Sequence, residues 1–433
     1  MPGRKAAEVL VVGAGPVGLY TALSLTQRGV KVEIADTGLW PCTHSFGLAL
    51  HPRTLKLFRN AGLLDAVMAA AYPVRTIGFY DASERKAGIR LDLDGDPADC
   101  LAVIRQDTLE RLLEQALEAE GVRVLWRHEA CGFRSEQGCI VTSLQRYEQE
   151  SRGYAVEHSE WVVTETAERG SAYVVGADGH GSIVRRSAHI GFPEVEDARY
   201  YAVFEFDSDL DAQHETRIVL SETAADVLWP LPGGRCRWSF ELPEHVEPAD
   251  EQFRGFMAVT GADLASEREK DRGLTARPTA SPLLTEEHLR ELIAERAPWF
   301  QASVGPLAWR TVVRFERRAA EAYGSGRMWL AGDAAHLAGP IAVQSMNAGL
   351  AEAEDLADVL AQALRGGDGP ALLSAYDEKW RAVWRQLHGL DRPLQPGWAT
   401  GPWAREHARR LMPCLPAHGE DLAPLAAQLG LEV

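Results

Sequence analysis

Cysteine is scarce: Cys42, Cys100, Cys131, Cys139, Cys236 and Cys414 are the only six in 433 residues, and no two form a C-x-x-C pair. That spacing argues against a disulfide scaffold and fits a reducing, cytoplasmic compartment. The 13 histidines include no H-x-x-x-H or H-E-x-x-H, so no metal centre is legible. No G-x-S-x-G elbow occurs, which argues against an α/β-hydrolase. Positive charge is also short. With 45 Lys+Arg against 62 Asp+Glu the formal charge is −17. Nucleic acid and anionic membrane are therefore not expected as partners, because phosphate contacts need clustered Lys and Arg. The N-terminal Met-Pro-Gly-Arg-Lys has no apolar targeting core behind it. One uncharged run, Val9 to Gln27, is long enough to suggest a membrane span, but Gly13, Gly15 and Gly18 interrupt it.

What is present is an ordinary globular composition, 46% hydrophobic and 25% charged, in a chain long enough for more than one structural unit. Val9-Leu10-Val11-Val12 has the β-branched pattern of a strand buried on both faces. Gly13-x-Gly15-x-x-Gly18 follows at once, then helical spacing of Leu19, Ala22, Leu23 and Leu25 closed by Arg28-Gly29. A second strand, Val30 to Ala35, ends in Asp36. Each glycine has a physical role. Gly13 permits the tight turn, Gly15 admits a pyrophosphate to the backbone N–H groups, and Gly18 lets helix and strand approach. The helix N-terminus favours the phosphates, and Asp36 can accept from ribose hydroxyls while repelling a 2′-phosphate. The motif indicates a dinucleotide and leaves NAD and FAD open.

Two later segments narrow the choice. Tyr173-Val174-Val175-Gly176 is a strand running into Ala177-Asp178-Gly179-His180-Gly181. Met328-Trp329-Leu330-Ala331 is another, ending in Gly332-Asp333-Ala334-Ala335-His336, then Pro340, Gln344-Ser345-Met346-Asn347, and a strongly helical stretch from Leu350 to Leu364. Three such motifs in this order resemble the FAD-dependent monooxygenases of the p-hydroxybenzoate hydroxylase type, the class A aromatic hydroxylases. Leu50-His51-Pro52-Arg53-Thr54-Leu55 resembles the family segment beside the flavin. Arg105-Gln106-Asp107-Thr108 resembles its FAD-contacting helix start.

The resemblance implies an α/β fold: a Rossmann-like FAD-binding domain with an inserted antiparallel-sheet substrate domain. The FAD domain is expected over 1–75, 101–190 and 308–370, the substrate domain over 76–100 and 191–307, and a helical extension over 371–433. It further implies that Gly13, Gly15, Pro16, Val17, Gly18 and Asp36 hold the ADP part of FAD, and that Asp178 lies near the pyrophosphate. Gly332, Asp333, Pro340, Ser345, Met346 and Asn347 would meet the ribityl chain and flavin, with Arg53, Arg105 and Gln106 as further contacts. By the same resemblance NADPH or NADH reduces FAD, O2 adds to the reduced flavin, and the C4a-hydroperoxide oxygenates a hydrophobic, aromatic or polyketide-like substrate. A transient nicotinamide donor and a separate flavin reductase both fit, since only one full Rossmann fingerprint occurs. Epoxidation and Baeyer–Villiger insertion share the chemistry. A halogenase is disfavoured by the absence of Trp-x-Trp-x-Ile-Pro, and an isoprenoid reductase on a related fold is a further alternative.

The departures matter. Relatives have a Gly-rich run between the proline and the asparagine, where this chain carries Ala342, Val343 and Ser345. Such side chains would tighten the space beside the flavin. Tyr201, Trp229 and Trp238 on the expected sheet, and His44 and Phe46 on the flavin side, are candidates to line a substrate cavity. His336 is expected to pack or hydrogen-bond near its turn rather than act as a base, and no catalytic acid or base is assigned. Residues 244–283 read as an exposed insertion, and Thr285 to Ala297 as an amphipathic helix stopped by Pro298.

Overall fold

A computed structural model describes residues 7–39, 47–92, 95–152, 158–243, 282–391 and 393–433. The insertion expected over 244–283 lies outside them up to residue 281, as do His44 and Phe46.

The β-branched run Val9–Val12 forms a fully buried strand at the centre of a six-stranded sheet. In spatial order the sheet runs Gly324–Ser325, Met328–Leu330, Tyr173–Gly176, Val9–Val12, Val32–Ala35 and Val124–Leu125. Every pairing from Met328–Leu330 onward is parallel. Strands buried on both faces suit the continuous apolar runs read in the sequence. The helix Pro16–Gln27 follows the first strand, with proline in its first turn and Gly29 beyond its end at φ +78°. It packs against the long helix Gln344–Leu364. That second helix begins at Gln344, six residues before its leucine pattern. Its polar first turn reads as loop in sequence, but the Asn347 side chain donates to the Val343 carbonyl and holds the turn closed.

An eight-stranded sheet lies over the ends of the first. Its order is His336–Leu337, Leu307–Ala319, Glu194–Asp207, Arg235–Glu241, Ala225–Leu231, Glu215–Leu220, Thr76–Tyr80 and Arg85–Arg90. Leu307–Ala319, placed with the nucleotide segments by the sequence reading, pairs along the length of Glu194–Asp207 in this sheet. One face packs into the same core as the six-stranded sheet. The other forms a separate core with the helix Glu286–Arg296, which Thr285 caps by accepting from the His288 N–H at 3.1 Å. A three-stranded ribbon, His128–Glu136, Cys139–Arg152 and His158–Ser171, stands outside both sheets.

The helices Gly369–Leu387, Pro402–Leu411 and Leu422–Ala427 close the chain. They tie to both halves. Tyr376 donates to the Leu330 carbonyl at 2.8 Å, and the Gln344 amide reaches the carbonyls of Met412 and Leu415 at 3.2 and 3.0 Å. Gln428 meets both backbone groups of Arg90, at 2.8 and 2.9 Å. Among the described residues no helix is long and apolar enough to cross a membrane.

Candidate functional site

A cavity of about 580 Å³ opens at the C-terminal ends of the central parallel strands, where the strand order reverses. One end is lined by Ala35, Asp36 and Thr37, the middle by Gly13, Gly15, Asp178 and Gly179, and the far end by Asp333, Pro340, Val343, Ser345 and Met346.

The strand-to-helix turn is built for close approach. Gly13 has φ +103°, and a Cβ there would run into the backbone of Ala177 and Asp178. A Cβ at Gly18 would strike the Gly13 carbonyl, so this glycine sets the helix–strand distance. Gly15 is different: no atom of the described residues lies within 4 Å of where its Cβ would stand, and it caps the Pro16–Gln27 helix without a side-chain bond. The uncapped N–H groups and their partial positive charge thus face the cavity.

Asp36 accepts from the N–H groups of Ala14 and Gly38, both at 2.6 Å, which fixes the carboxylate at the cavity end. Burial pushes its pKa up, opposed by those two N–H groups. Asp178 takes the N–H groups of Ile183 and Val184 on Oδ2 at 2.7 and 3.3 Å, and the Ser182 hydroxyl also favours its charged form. Its pKa is also raised by burial. Asp333 accepts from the Ser345 hydroxyl at 2.6 Å. Gln106 lines the cavity and accepts from the Gly47 N–H at 2.8 Å.

Other expected contacts stand back from the cavity. Arg53 pairs with Asp421 at 3.2 Å on the outside of its helix, and Arg105 pairs with Glu205 at 3.0 Å. Gly332 and Gly349 pack against Val17. Asn347 is wholly structural in its visible bonds: Oδ1 accepts from the His51 N–H and the Thr54 hydroxyl at 2.7 and 2.8 Å, and Nδ2 donates to the carbonyls of Ala49 and Val343, both at 2.8 Å. His336 is fully buried and stacked on Trp384 at 3.8 Å, bonded to Glu352 at 2.9 Å and to Ser345 at 3.3 Å. Glu352 also receives the Gly332 N–H, the Tyr323 hydroxyl and the Trp384 indole.

A second, much smaller cavity adjoins the far end, lined by Leu48, Val203, Trp229, Arg237, Ser239 and Trp309. It shares Val313, Phe315, Pro340 and Val343 with the large one. Trp229 lines this void. Trp238 does not: it stacks on Phe240 at 4.8 Å and meets Trp299 and Phe300 in the opposite core. The strand Arg235–Glu241 alternates faces, so Arg237 and Ser239 take the cavity side and Trp238 cannot. Tyr201 packs edge-on against Phe315 with ring centroids 5.5 Å apart and lines neither cavity.

Arg237 and Glu205 are buried together, and Arg237 lies over the Trp309 ring at 5.1 Å. Desolvation lowers the Arg237 pKa while Glu205 opposes it. The sequence reading missed Arg237, Ser239, Trp309, Val313 and Phe315. The period-2 spacing Trp309, Val313, Phe315 was the available signal.

Comparison with known proteins agrees with this geometry. Residues 6–389 match the FAD binding domain family. The 6-methylpretetramide 4-monooxygenase of Streptomyces rimosus is 29% identical over 87% of this chain, which spans 59% of that protein's length. The structure of p-nitrophenol 4-monooxygenase from Pseudomonas putida DLL-E4 superposes with TM-score 0.68 at 18% identity over 98% of both chains. The aklavinone-11 hydroxylase, solved with FAD and aklavinone, gives TM-score 0.65 at 22% identity over 90% of this chain and 68% of that one. These two solved structures share the fold.

Proposed function

Because the chain belongs to the FAD binding domain family, we propose that it is an FAD-dependent monooxygenase taking NAD(P)H and O2 to oxygenate a hydrophobic aromatic or polyketide-like molecule. The observation that carries this reading is the shared wall. A cavity of about 580 Å³ beneath the glycine turn ends against Val313, Phe315, Pro340 and Val343, and a void of only about 20 Å³, lined by Trp229 and Trp309, lies on their other side.

The residues present fit FAD. Gly15 leaves an open cradle at a helix N-terminus, and Asp36 and Asp178 line the same cavity. Asp36 is proposed to hold ribose hydroxyls, the Gly13–Gly18 turn the pyrophosphate, and Asp333 the ribityl chain, with Pro340, Ser345 and Met346 meeting the flavin end. When bound, FAD supplies electron transfer from the nicotinamide donor and activation of O2. The protein's part is positioning and exclusion of water. The start of the Gln344–Leu364 helix presents backbone N–H groups to the far end of the cavity, where they stabilise negative charge. Trp229, Trp309 and Phe315 line the small void beyond that end, with Arg237, paired to Glu205, and Ser239 as its polar residues.

Purified protein should be yellow, or become so on adding FAD, and should oxidise NADPH or NADH faster when a phenol or polycyclic phenol is present with O2. Following product mass and hydrogen peroxide across an aromatic library, with and without an added flavin reductase, separates oxygenation from idle turnover and identifies the electron supply. A colourless protein that takes up no FAD would overturn the reading. Asp333→Ala should lower flavin content, since it removes the acceptor that Ser345 orients; unchanged retention would reject that role.

A further inference from the structure

Val343 has φ +53° and ψ +40° at the N-cap of the Gln344–Leu364 helix, the left-handed conformation that a β-branched residue disfavours most. Branching at Cβ crowds the backbone there, and glycine is the residue that adopts it without strain. The chain carries a valine instead, and holds it in place from two sides. The His51 ring lies 2.7 Å from the Ala342 carbonyl, and the Asn347 amide donates to the Val343 carbonyl at 2.8 Å. Both holding groups are buried, and Thr54 and the His51 backbone N–H in turn fix Asn347. Local strain of this kind persists only where surrounding bonds over-determine it.

The side chain so placed lines both cavities. Of the four shared residues, Val313 and Phe315 lie on the long strand of the large sheet and Pro340 has its own fixed φ. Val343 is the one in a conformation that favours having no side chain at all. We propose that Val343 is a specificity-determining gate, its isopropyl group closing the far end of the cofactor cavity off from the water-sized void beside Trp229 and Trp309, and so limiting the size of substrate that fits there. The proposal rests on the flavin reading above and names the residue that sets access within that same site.

Val343→Ala and Val343→Gly test it on the full-length protein loaded with FAD. Alanine removes the gate but keeps a Cβ in the left-handed conformation; glycine removes both. If Val343 separates the cavities, iodide quenching of the bound flavin's fluorescence rises at least about two-fold in both variants, because small solutes reach an enlarged void. A 1-naphthol titration of the flavin absorbance then tightens in both, with bulkier phenols gaining most. If the backbone is left-handed, the glycine variant melts roughly 1–3 °C above the alanine variant, the reverse of their order within a helix. Quenching and naphthol affinity equal to wild type in both variants, with FAD retained, would overturn the gate. Alanine melting above glycine would overturn the strained conformation on which it stands. Wild-type protein that takes up no FAD would overturn the flavin reading itself, and the gate with it.

Discussion

Gly15→Ala should leave the apoprotein close to its normal stability while weakening FAD binding about 100-fold or more. The two effects separate because the added methyl meets no atom of the described residues and projects into the cavity at the helix N-terminus. Gly15 has φ −70°, accessible to alanine, so the folded chain loses only part of an N-cap preference, less than about 1 kcal/mol. A ligand pyrophosphate approaching those N–H groups would lose two charge-assisted hydrogen bonds, each worth about 1.5–3 kcal/mol. Gly13→Ala makes the contrast. There the new methyl must enter φ +103° and displace the Ala177 backbone, so stability falls by more than about 2 kcal/mol before any ligand is considered. Melting of the two apoproteins and titration with FAD by fluorescence distinguish them. Wild-type FAD affinity in the Gly15 variant would remove the pyrophosphate from this turn.

The same contrast explains what was legible in the sequence. The first motif could be read because its constraints are local: a buried strand, three glycines with separate steric duties and an acid at the next strand's end all lie within 28 residues, Val9 to Asp36. The second, smaller cavity was harder, because its walls come from strands distant in sequence and from which face each residue takes. Trp229 and Trp238 look alike in composition, yet a strand's two-residue period sends one to that cavity and the other to the core against Phe300. Arg237, one position from Trp238, reads in sequence as a surface charge. Only its pairing with Glu205, 32 residues away in sequence on the neighbouring strand, makes it a buried cavity wall. The helix at Gln344 began ahead of its apolar pattern because side chains from elsewhere, His51 and Thr54, hold its first turn through Ala342 and Asn347. Valine in a glycine's conformation was visible as a departure in the third motif, but its cost and its placement between two cavities are tertiary facts.

That holding cluster should also make the protein labile in acid. Burial drives the His51 pKa from 6.5 down to about 4, partly offset by its bond to the Ala342 carbonyl. His388, next to Arg317, is likewise lowered to about 3, chiefly by burial, and His418 is lowered too. Between the unfolded and folded pKa values the unfolded chain binds a proton that the native chain refuses. The stability is therefore complete above about pH 6.5 and is lost as pH falls toward 4. For His51 alone the loss approaches about 3 kcal/mol near pH 4. His51→Gln keeps an amide N–H able to reach the Ala342 carbonyl and carries no titratable group. Urea midpoints at pH 7.5 and 4.5 should differ less in this variant than in wild type, by a margin worth about 2 kcal/mol, the remaining slope being the sum of His388 and His418 and, with opposite sign, the buried Asp36, Asp178 and Asp226. If the variant keeps the full wild-type pH dependence, His51 is not a neutral clamp on this turn. A reduced slope together with release of flavin from wild type at pH 4.5 would locate the acid-sensitive element at the turn carrying Val343, since protonating His51 forces charge into the buried contact that holds it.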